Sequence, residues 1–261
     1  MATYVVSDLH GQYRIFLKLR EMVDFSENDQ LYMLGDAIDR GPEGLNILQH
    51  VKNATNMDML IGNHEFMMLN AVALDGTTTN DYEKLPGRDG ELWIFGNGGN
   101  KTYFRYRRYK IEERVELLEW LKTRSLTKLV EVNGKKFFLT HSFFDLDKID
   151  VPYNEIDYQT AWSTVWLTPF RRDLYVDKQE YTSLKDWTFI VGHVPVWYAN
   201  KEFKELSPFI AENIIDIDGG CARHDGKNKK IRGGIIYRLD DNQVYTCSFD
   251  DLQKAEKQRI L

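Results

Sequence analysis

Apolar residues along this chain gather in short runs that stop at a glycine or an acidic residue, and helical stripes follow the runs. Tyr4 to Val6 is the first run and ends at Ser7-Asp8. From Tyr13 to Val23, Ile15, Phe16, Leu19, Met22 and Val23 recur at helical spacing on one face. Leu31 to Leu34 is the second run, stopped by Gly35, and Gly44 to Val51 reads as a helix after Pro42, a residue favoured at helix starts. Met57 to Ile61 is the third run, stopped by Gly62, with a helix predicted over Glu65 to Leu74. Strand, loop and helix three times over is the rhythm of a parallel βαβ sheet. In such sheets functional groups collect beyond the carboxyl ends of the strands.

The rhythm then changes. Asp75 to Asp89 is polar and reads as a surface loop, and helical patterns return around Leu92 to Phe95 and Ile111 to Leu121. Thr127 to Val132, Asn133-Gly134 and Lys136 to Thr140 form a hairpin pattern, Asn-Gly being the preferred type I′ pair. Phe143 to Asp186 is acidic, aromatic and without a clear period. Phe189 to Val191, Ile214 to Ile217, Ile235 to Leu239 and Val244 to Phe249 read as strands, the last two joined by a tight Asp-Asp-Asn turn. There is no internal repeat or low-complexity linker, and both halves carry candidate ligands. One domain over residues 1–261 is therefore expected.

Composition narrows the class. A formal net charge of −6 argues against a surface that coats nucleic acid, although it leaves room for a small positive pocket. Two cysteines, Cys221 and Cys247, are too few for a disulfide framework and read as thiols of a reducing compartment. No charged leader precedes the first strand, and no run of about 18 apolar residues occurs. A cytoplasmic enzyme with no membrane segment is the expectation.

The candidate chemistry lies where the runs stop. Asp8-Leu9-His10-Gly11, Gly35-Asp36-Ala37-Ile38-Asp39-Arg40-Gly41 and Gly62-Asn63-His64-Glu65 each follow a predicted strand, and His141 and His193 follow two later ones. Residues i and i+2 of an extended segment point the same way, so Asp8 and His10 can reach one metal together. Asp36 has two oxygens with which to bridge two ions, Asn63 offers an amide oxygen, and the two late histidines offer ring nitrogens. Mixed nitrogen and carboxylate donors suit Mn, Fe or Zn better than Mg. Two ions about 3.5–4 Å apart can clamp the attacking and leaving oxygens of an in-line displacement and turn a bound water into hydroxide near neutral pH. Any one of these histidines alone is more often a buried, hydrogen-bonded side chain. It is the joint occurrence, each block at a strand end, that points to a metal centre.

The three N-terminal blocks resemble those of the calcineurin-like metallophosphoesterases. Their Asp39-Arg40-Gly41 and His64-Glu65 forms point more narrowly to the phosphoprotein phosphatases of serine and threonine. Trp93 and Asn97-Gly98-Gly99, shortly before Thr102, are similar to the bacterial and phage members and to the symmetrical diadenosine tetraphosphatases. Thr140-His141, Gly192-His193 and Ile217-Asp218-Gly219-Gly220 match the family's later motifs, so that the resemblance runs from Val5 to about Leu239. It implies an α/β sandwich of two mixed β-sheets flanked by helices, with two divalent metal ions. Asp8, His10 and Asp36 would hold the first metal; Asp36, Asn63, His141 and His193 would hold the second. His64 would be the general acid, oriented by Asp39, and Arg40, with Asn63, would bind the phosphoryl group. Two departures stand out. Ser7 precedes Asp8 where many relatives have Gly, and the family's second phosphate-binding arginine has no counterpart directly after Trp166, so Arg171 or Arg172 would have to fill it from a shifted position.

The leading expectation is a phosphatase acting on phosphorylated protein or peptide. Its rivals are a dinucleoside polyphosphate hydrolase and, from another class, a silent scaffold that binds phosphorylated partners; the scaffold needs a missing ligand or acid, and none is missing. The acidic residues Asp145, Asp147, Asp150, Glu155 and Asp157 favour a monoester if they lie near the site, since they would repel a polyphosphate. Lys101 to Lys110 interleaves basic and aromatic residues and reads as an amphipathic helix with a solvated face. Tyr153, Tyr158, Trp162 and Trp166 read as core aromatics. His50 is expected on a helix face and His224 in solvent.

Overall fold

The computed structural model of the chain describes residues 1–168, 186–199, 203–223 and 228–258. Strands β1 (Thr3–Val6), β2 (Gln30–Met33) and β3 (Met57–Met59) alternate with helices α1 (Tyr13–Met22), α2 (Gly44–Asn53) and α3 (Asn63–Ala71), as the hydrophobic rhythm predicts. β1 pairs β2, and β2 pairs β3, in parallel. Helices α4 (Asn100–Tyr106) and α5 (Ile111–Lys122) lead to the hairpin β4 (Thr127–Val132) and β5 (Lys135–Thr140). Asn133 and Gly134 sit at φ 52° and 76°, the left-handed pair that a type I′ turn needs.

After α6 (Tyr158–Trp166) come β6 (Trp187–Val191), the short α7 (Val196–Ala199), β7 (Phe209–Ala211), β8 (Ile214–Asp216), β9 (Gly233–Arg238), β10 (Val244–Ser248) and α8 (Phe249–Gln258). One sheet has the order β10-β9-β1-β2-β3, the other β4-β5-β6-β8-β7. Both are mixed. β9 joins β1 antiparallel, while β5, β6 and β8 run parallel to one another at the centre of the second sheet. The last two strands therefore extend the first sheet instead of continuing the second.

Alternation along each strand builds the layers. Tyr4 and Val6 face the core beneath the helices, whereas Val5 faces the core between the sheets. Phe137 and Leu139 of β5 meet Val5, Leu34, Ile190, Ile235 and Tyr237 in that inter-sheet layer, and Phe138 points outward to Phe144 and Phe189. The fold is thus an α/β sandwich of two mixed sheets flanked by helices.

Several elements differ from the sequence expectation. The Leu92–Gly96 segment is a π-helical turn, and the unassigned stretch after Phe143 contains α6, whose Asp157 carboxylate caps the helix by accepting from Thr160 N–H at 3.0 Å. α3 begins two residues earlier than predicted, at Asn63. The polar residues that open it masked its start, because their reason for being there is the site. No helix among the described residues is long and apolar enough to cross a membrane.

Candidate metal centre

Six loops converge between the two sheets, each leaving the carboxyl end of one of the parallel strands. Asp8 and His10 follow β1, Asp36 follows β2, Asn63 and His64 open α3 after β3, His141 follows β5, His193 follows β6 and Asp218 follows β8. Sharp exits require unusual backbone. Asp8, His10, Asp36, Asp39, Arg40 and His193 all have φ between 43° and 70°. Non-glycine residues rarely adopt this region, and each costs of order 1–3 kcal/mol. Asp8, His10, Asp36, Asn63, His64 and His141 are all buried.

Glu65, at the third position of α3, braces this geometry. Its carboxylate accepts from Asp36 N–H (2.8 Å), Ala37 N–H (2.9 Å), Ile38 N–H (3.3 Å) and Gly62 N–H (3.1 Å). One fully buried side chain thus ties the loop after β2 to the start of α3. Asp36 Oδ1 in turn accepts from His64 N–H at 3.0 Å. Two glycines are required by contact. A Cβ on Gly62 would fall on Asp36, and one on Gly192 would fall on Asp8 and Ser7.

The donors sort into two groups sharing Asp36: His10, Asp36 and His64 in one, and Asp36, His141 and His193 in the other. His10 Nδ1–H donates to Ile38 carbonyl at 3.1 Å, and this tautomer leaves Nε2 as a lone pair 3.5 Å from Asp36 Oδ2. His141 does the same with Leu34 carbonyl at 2.9 Å. Its bare Nε2 then faces Asn63 Oδ1 at 2.9 Å and His193 Nδ1 at 3.2 Å, with Asn63 Oδ1 and His193 Nδ1 3.0 Å apart and Asp36 Oδ1 3.6 Å away. With His193 Nδ1 in its unprotonated tautomer, these are acceptor atoms crowded as they would be around a cation. Asp8 accepts from the Ser7 hydroxyl and from His193 N–H (3.0 Å) through Oδ2, while its buried Oδ1 has no hydrogen-bond partner. That orphaned oxygen fits a ligand role, as do the carboxylate and imidazole donor types. The residues of the ligand set implied by the resemblance are brought together here. Asp8 also accepts from the His193 backbone, which links the two groups, and His64 stands close enough to His10 and Asp36 to share a metal with them.

His64 is nevertheless held differently from the other histidines. Its Nδ1 meets Asp39 Oδ2 at 2.6 Å, and Trp93 Nε1–H donates to that same oxygen at 2.7 Å. Thr102 Oγ1 accepts from Asp39 N–H at 3.0 Å. His64 Nε2 is buried without a hydrogen-bond partner, 3.8 Å from Asp36 Oδ2. Burial pushes Asp39 up to about 7, against the pull of the Thr102 hydroxyl and the Trp93 indole. Burial and then the Arg40 charge press the His64 imidazole well below its usual range. The pocket thus disfavours the imidazolium that the resemblance implies. Burial, followed by the neighbouring carboxylates Asp8 and Glu65, pushes Asp36 well above the ordinary range. Positive charge delivered to the site would relieve this crowding.

Arg40 is half-buried beside these groups, and none of the described carboxylates salt-bridges its guanidinium. Arg171 and Arg172 lie outside the described residues, as does His224. Residues that the sequence reading did not assign to the site are Glu65 as brace and Trp93 and Thr102 on Asp39. Asp218, buried next to Asp8 in charge terms, was visible only as part of a motif.

The acidic run makes local contacts. Asp157 caps α6, Asp145 accepts from Asp147 N–H, and Asp150 pairs with Lys128 at 3.6 Å. Asp147, Asp150, Glu155 and Asp157 are exposed and Asp145 is half-buried. Tyr153, Tyr158, Trp162 and Trp166 pack against the helix-side core, and Trp166 also meets the His193 ring edge-on at 5.9 Å. In α4, Tyr103 and Tyr106 are buried and Lys101, Phe104 and Arg105 exposed, the amphipathic pattern expected. His50 is half-buried on α2, between Tyr13 Oη (2.9 Å) and Arg20 (2.7 Å), and Cys221 and Cys247 are buried free thiols.

Comparison with known proteins agrees with this geometry. The calcineurin-like phosphoesterase family profile matches residues 1–217. Serine/threonine-protein phosphatase 2 of Salmonella typhimurium is 30% identical over 220 residues, covering 81% of this chain and 89% of the relative. The symmetrical bis(5'-nucleosyl)-tetraphosphatase of Erwinia tasmaniensis is also 30% identical, but over 145 residues, 54% of this chain and 44% of that protein. Among solved structures, a metallophosphoesterase from Sphaerobacter thermophilus superposes with a TM-score of 0.53 at 14% identity, covering 100% of this chain and 95% of that one, which bears on the fold alone.

Proposed function

The chain belongs to the calcineurin-like phosphoesterase family, a family of metal-dependent phosphoester hydrolases, and on that premise we propose that it is a serine/threonine protein phosphatase. The observation that carries the substrate class is the extent of the match. Similarity to the Salmonella phosphatase spans 89% of that protein, whereas similarity to the Erwinia tetraphosphatase spans 44%. In this reading residues 1–261 act as one catalytic domain in the cytoplasm, since both sheets deliver side chains to one centre.

Asp8, His10 and Asp36 would hold one divalent cation and Asp36, Asn63, His141 and His193 a second, of the Mn, Fe or Zn class. Such a pair, when bound, would supply positive charge for the phosphoryl oxygens and a more acidic water as nucleophile. The remaining work falls to the chain's own groups. Arg40 presents its planar fork to the phosphoryl oxygens, with the Asn63 amide beside it. His64 Nε2, lacking a protein partner, faces the centre and hands its proton to the serine or threonine oxygen as the P–O bond breaks. An imidazolium whose pKa is depressed is a stronger acid toward that oxygen, and Asp39 compensates by holding Nδ1 so that the protonated form is populated. Trp93 and Thr102 keep Asp39 in place.

The test is kcat/KM for a phosphothreonine peptide beside diadenosine tetraphosphate at one Mn²⁺ concentration. The peptide is expected to be preferred. A value more than about tenfold higher for the dinucleotide, some 1.4 kcal/mol of extra transition-state stabilisation, would overturn the substrate class and favour the tetraphosphatase reading.

A further inference from the structure

A positive charge beside Arg40 is not used by any step above. Lys101, exposed on α4, donates from Nζ to the Arg40 carbonyl oxygen at 2.6 Å. That acceptor is neutral, and none of the described carboxylates lies within ion-pair distance of the ammonium. An ammonium has three donors, so two remain for solvent or a ligand. Its position is set by the backbone. Arg40 has φ 62°, and Gly98, at φ 79°, lies against it, accepting from Arg40 N–H at 3.5 Å. The segment from Gly98 to Lys101 therefore holds Arg40 from both sides. With the carbonyl oxygen about 2.4 Å from its own Cα, Lys101 Nζ lies within roughly 5 Å of the Arg40 Cα.

We propose that Lys101 is a specificity-determining residue that reads a second anionic group on the substrate, an acidic side chain beside the phosphorylated residue. This rests on the phosphatase reading and narrows it to acidic-flanked phosphopeptides. Arg40 takes the scissile phosphoryl group, and Lys101, fixed to the same residue's backbone, meets the next negative charge along the peptide. Consecutive Cα atoms are about 3.8 Å apart, so the residue next to the phosphorylated one is the first that can present such a charge. The chain as a whole is acidic, with a net charge of −6, and the centre is lined by carboxylates. Lys101 has no carboxylate partner among the described residues, so its charge is free to meet an acidic flank. Its exposure means that little desolvation opposes the contact and that the preference is salt-sensitive.

The same lysine has a structural role in holding Arg40, and the experiment separates the two. Two phosphothreonine peptides that differ only in Asp or Ala beside the phosphoresidue are compared on the Mn²⁺-loaded wild type, Lys101→Met and Lys101→Arg proteins. The wild type is expected to favour the Asp peptide in kcat/KM by about threefold to fivefold, chiefly through KM. That ratio should fall to one or below in Lys101→Met, return in Lys101→Arg, and shrink with added salt in the wild type. Equal losses on both peptides, with the ratio preserved, would mean that Lys101 only positions Arg40 and would overturn the proposal, as would a wild type with no preference. Should neither peptide be cleaved, the phosphatase reading fails by itself. The two peptides then compete with p-nitrophenyl phosphate, and the ratio of their inhibition constants in wild type and Lys101→Met decides the role of Lys101 in the same way.

Discussion

Trp93→Phe tests how the centre holds its acid pair. The indole is 0% exposed, and its N–H donates to Asp39 Oδ2 at 2.7 Å, the oxygen that also meets His64 Nδ1. Phenylalanine keeps most of the packing and removes the donor. A hydrogen bond to a charged group contributes about 1.5–3 kcal/mol and one to a neutral acid about 1 kcal/mol, so the ionised form of Asp39 loses about 0.5–2 kcal/mol more than the protonated form. At 1.36 kcal/mol per unit, that raises the Asp39 pKa by roughly half to one and a half units. Asp39 starts from about 7, against 3.8 when exposed. A carboxyl whose folded pKa is raised contributes stability that is present below its unfolded pKa and lost as pH rises to the folded one. Wild type therefore finishes losing this contribution near pH 7, and the variant continues losing it to about pH 8.5. The stability gap between them should be constant up to about pH 6, then widen by about 0.5–2 kcal/mol by pH 9.5. Packing lost with the indole is the same at every pH and cancels in that difference. Urea unfolding of the two proteins in EDTA, at pH 5.5 and pH 9.5, reads it directly. Gaps that agree at the two pH values within about 0.3 kcal/mol would refute the claim that Trp93 stabilises the ionised carboxylate.

Other expectations follow from the same geometry. Chelation should abolish turnover and Mn²⁺ restore it, and Asp36→Asn should lower the bound metal at both sites; undiminished hydrolysis of p-nitrophenyl phosphate by chelated protein would contradict the metal assignment. His64→Asn should retain both metals and lose about 10²–10⁴-fold on an alkyl phosphate, but less on p-nitrophenyl phosphate, whose leaving group departs with little protonation. Loss of one metal equivalent, measured by elemental analysis, would instead make His64 a ligand, as its closeness to His10 and Asp36 allows. Gly192→Ala places a Cβ on Asp8 and Ser7 and should reduce metal content together with activity; normal metal content would show that the loop yields without moving Asp8.

The early strands and helices were legible because their apolar periods are local: a strand buried on alternating faces and a helix with one buried stripe write their geometry into neighbouring residues. The candidate ligands were legible too, since each block stops an apolar run and the donor types are chemically restricted. α6 was obscured because its stripe of Ala161, Thr164 and Val165 is short and set among aromatics that pack from outside the core. Pairing in the sheets belonged to the tertiary structure. Nothing in the apolar run of β9 says that it lies antiparallel to β1, because hydrogen-bond partners distant in sequence leave no periodic trace. The same holds at the centre. That Glu65 braces four backbone N–H groups, that Trp93 and His64 share one oxygen of Asp39, and that Lys101 reaches the Arg40 carbonyl all depend on loops meeting across many residues. The amino-acid types announced the chemistry, and the crossing of six loops between two sheets decided which atoms face one another.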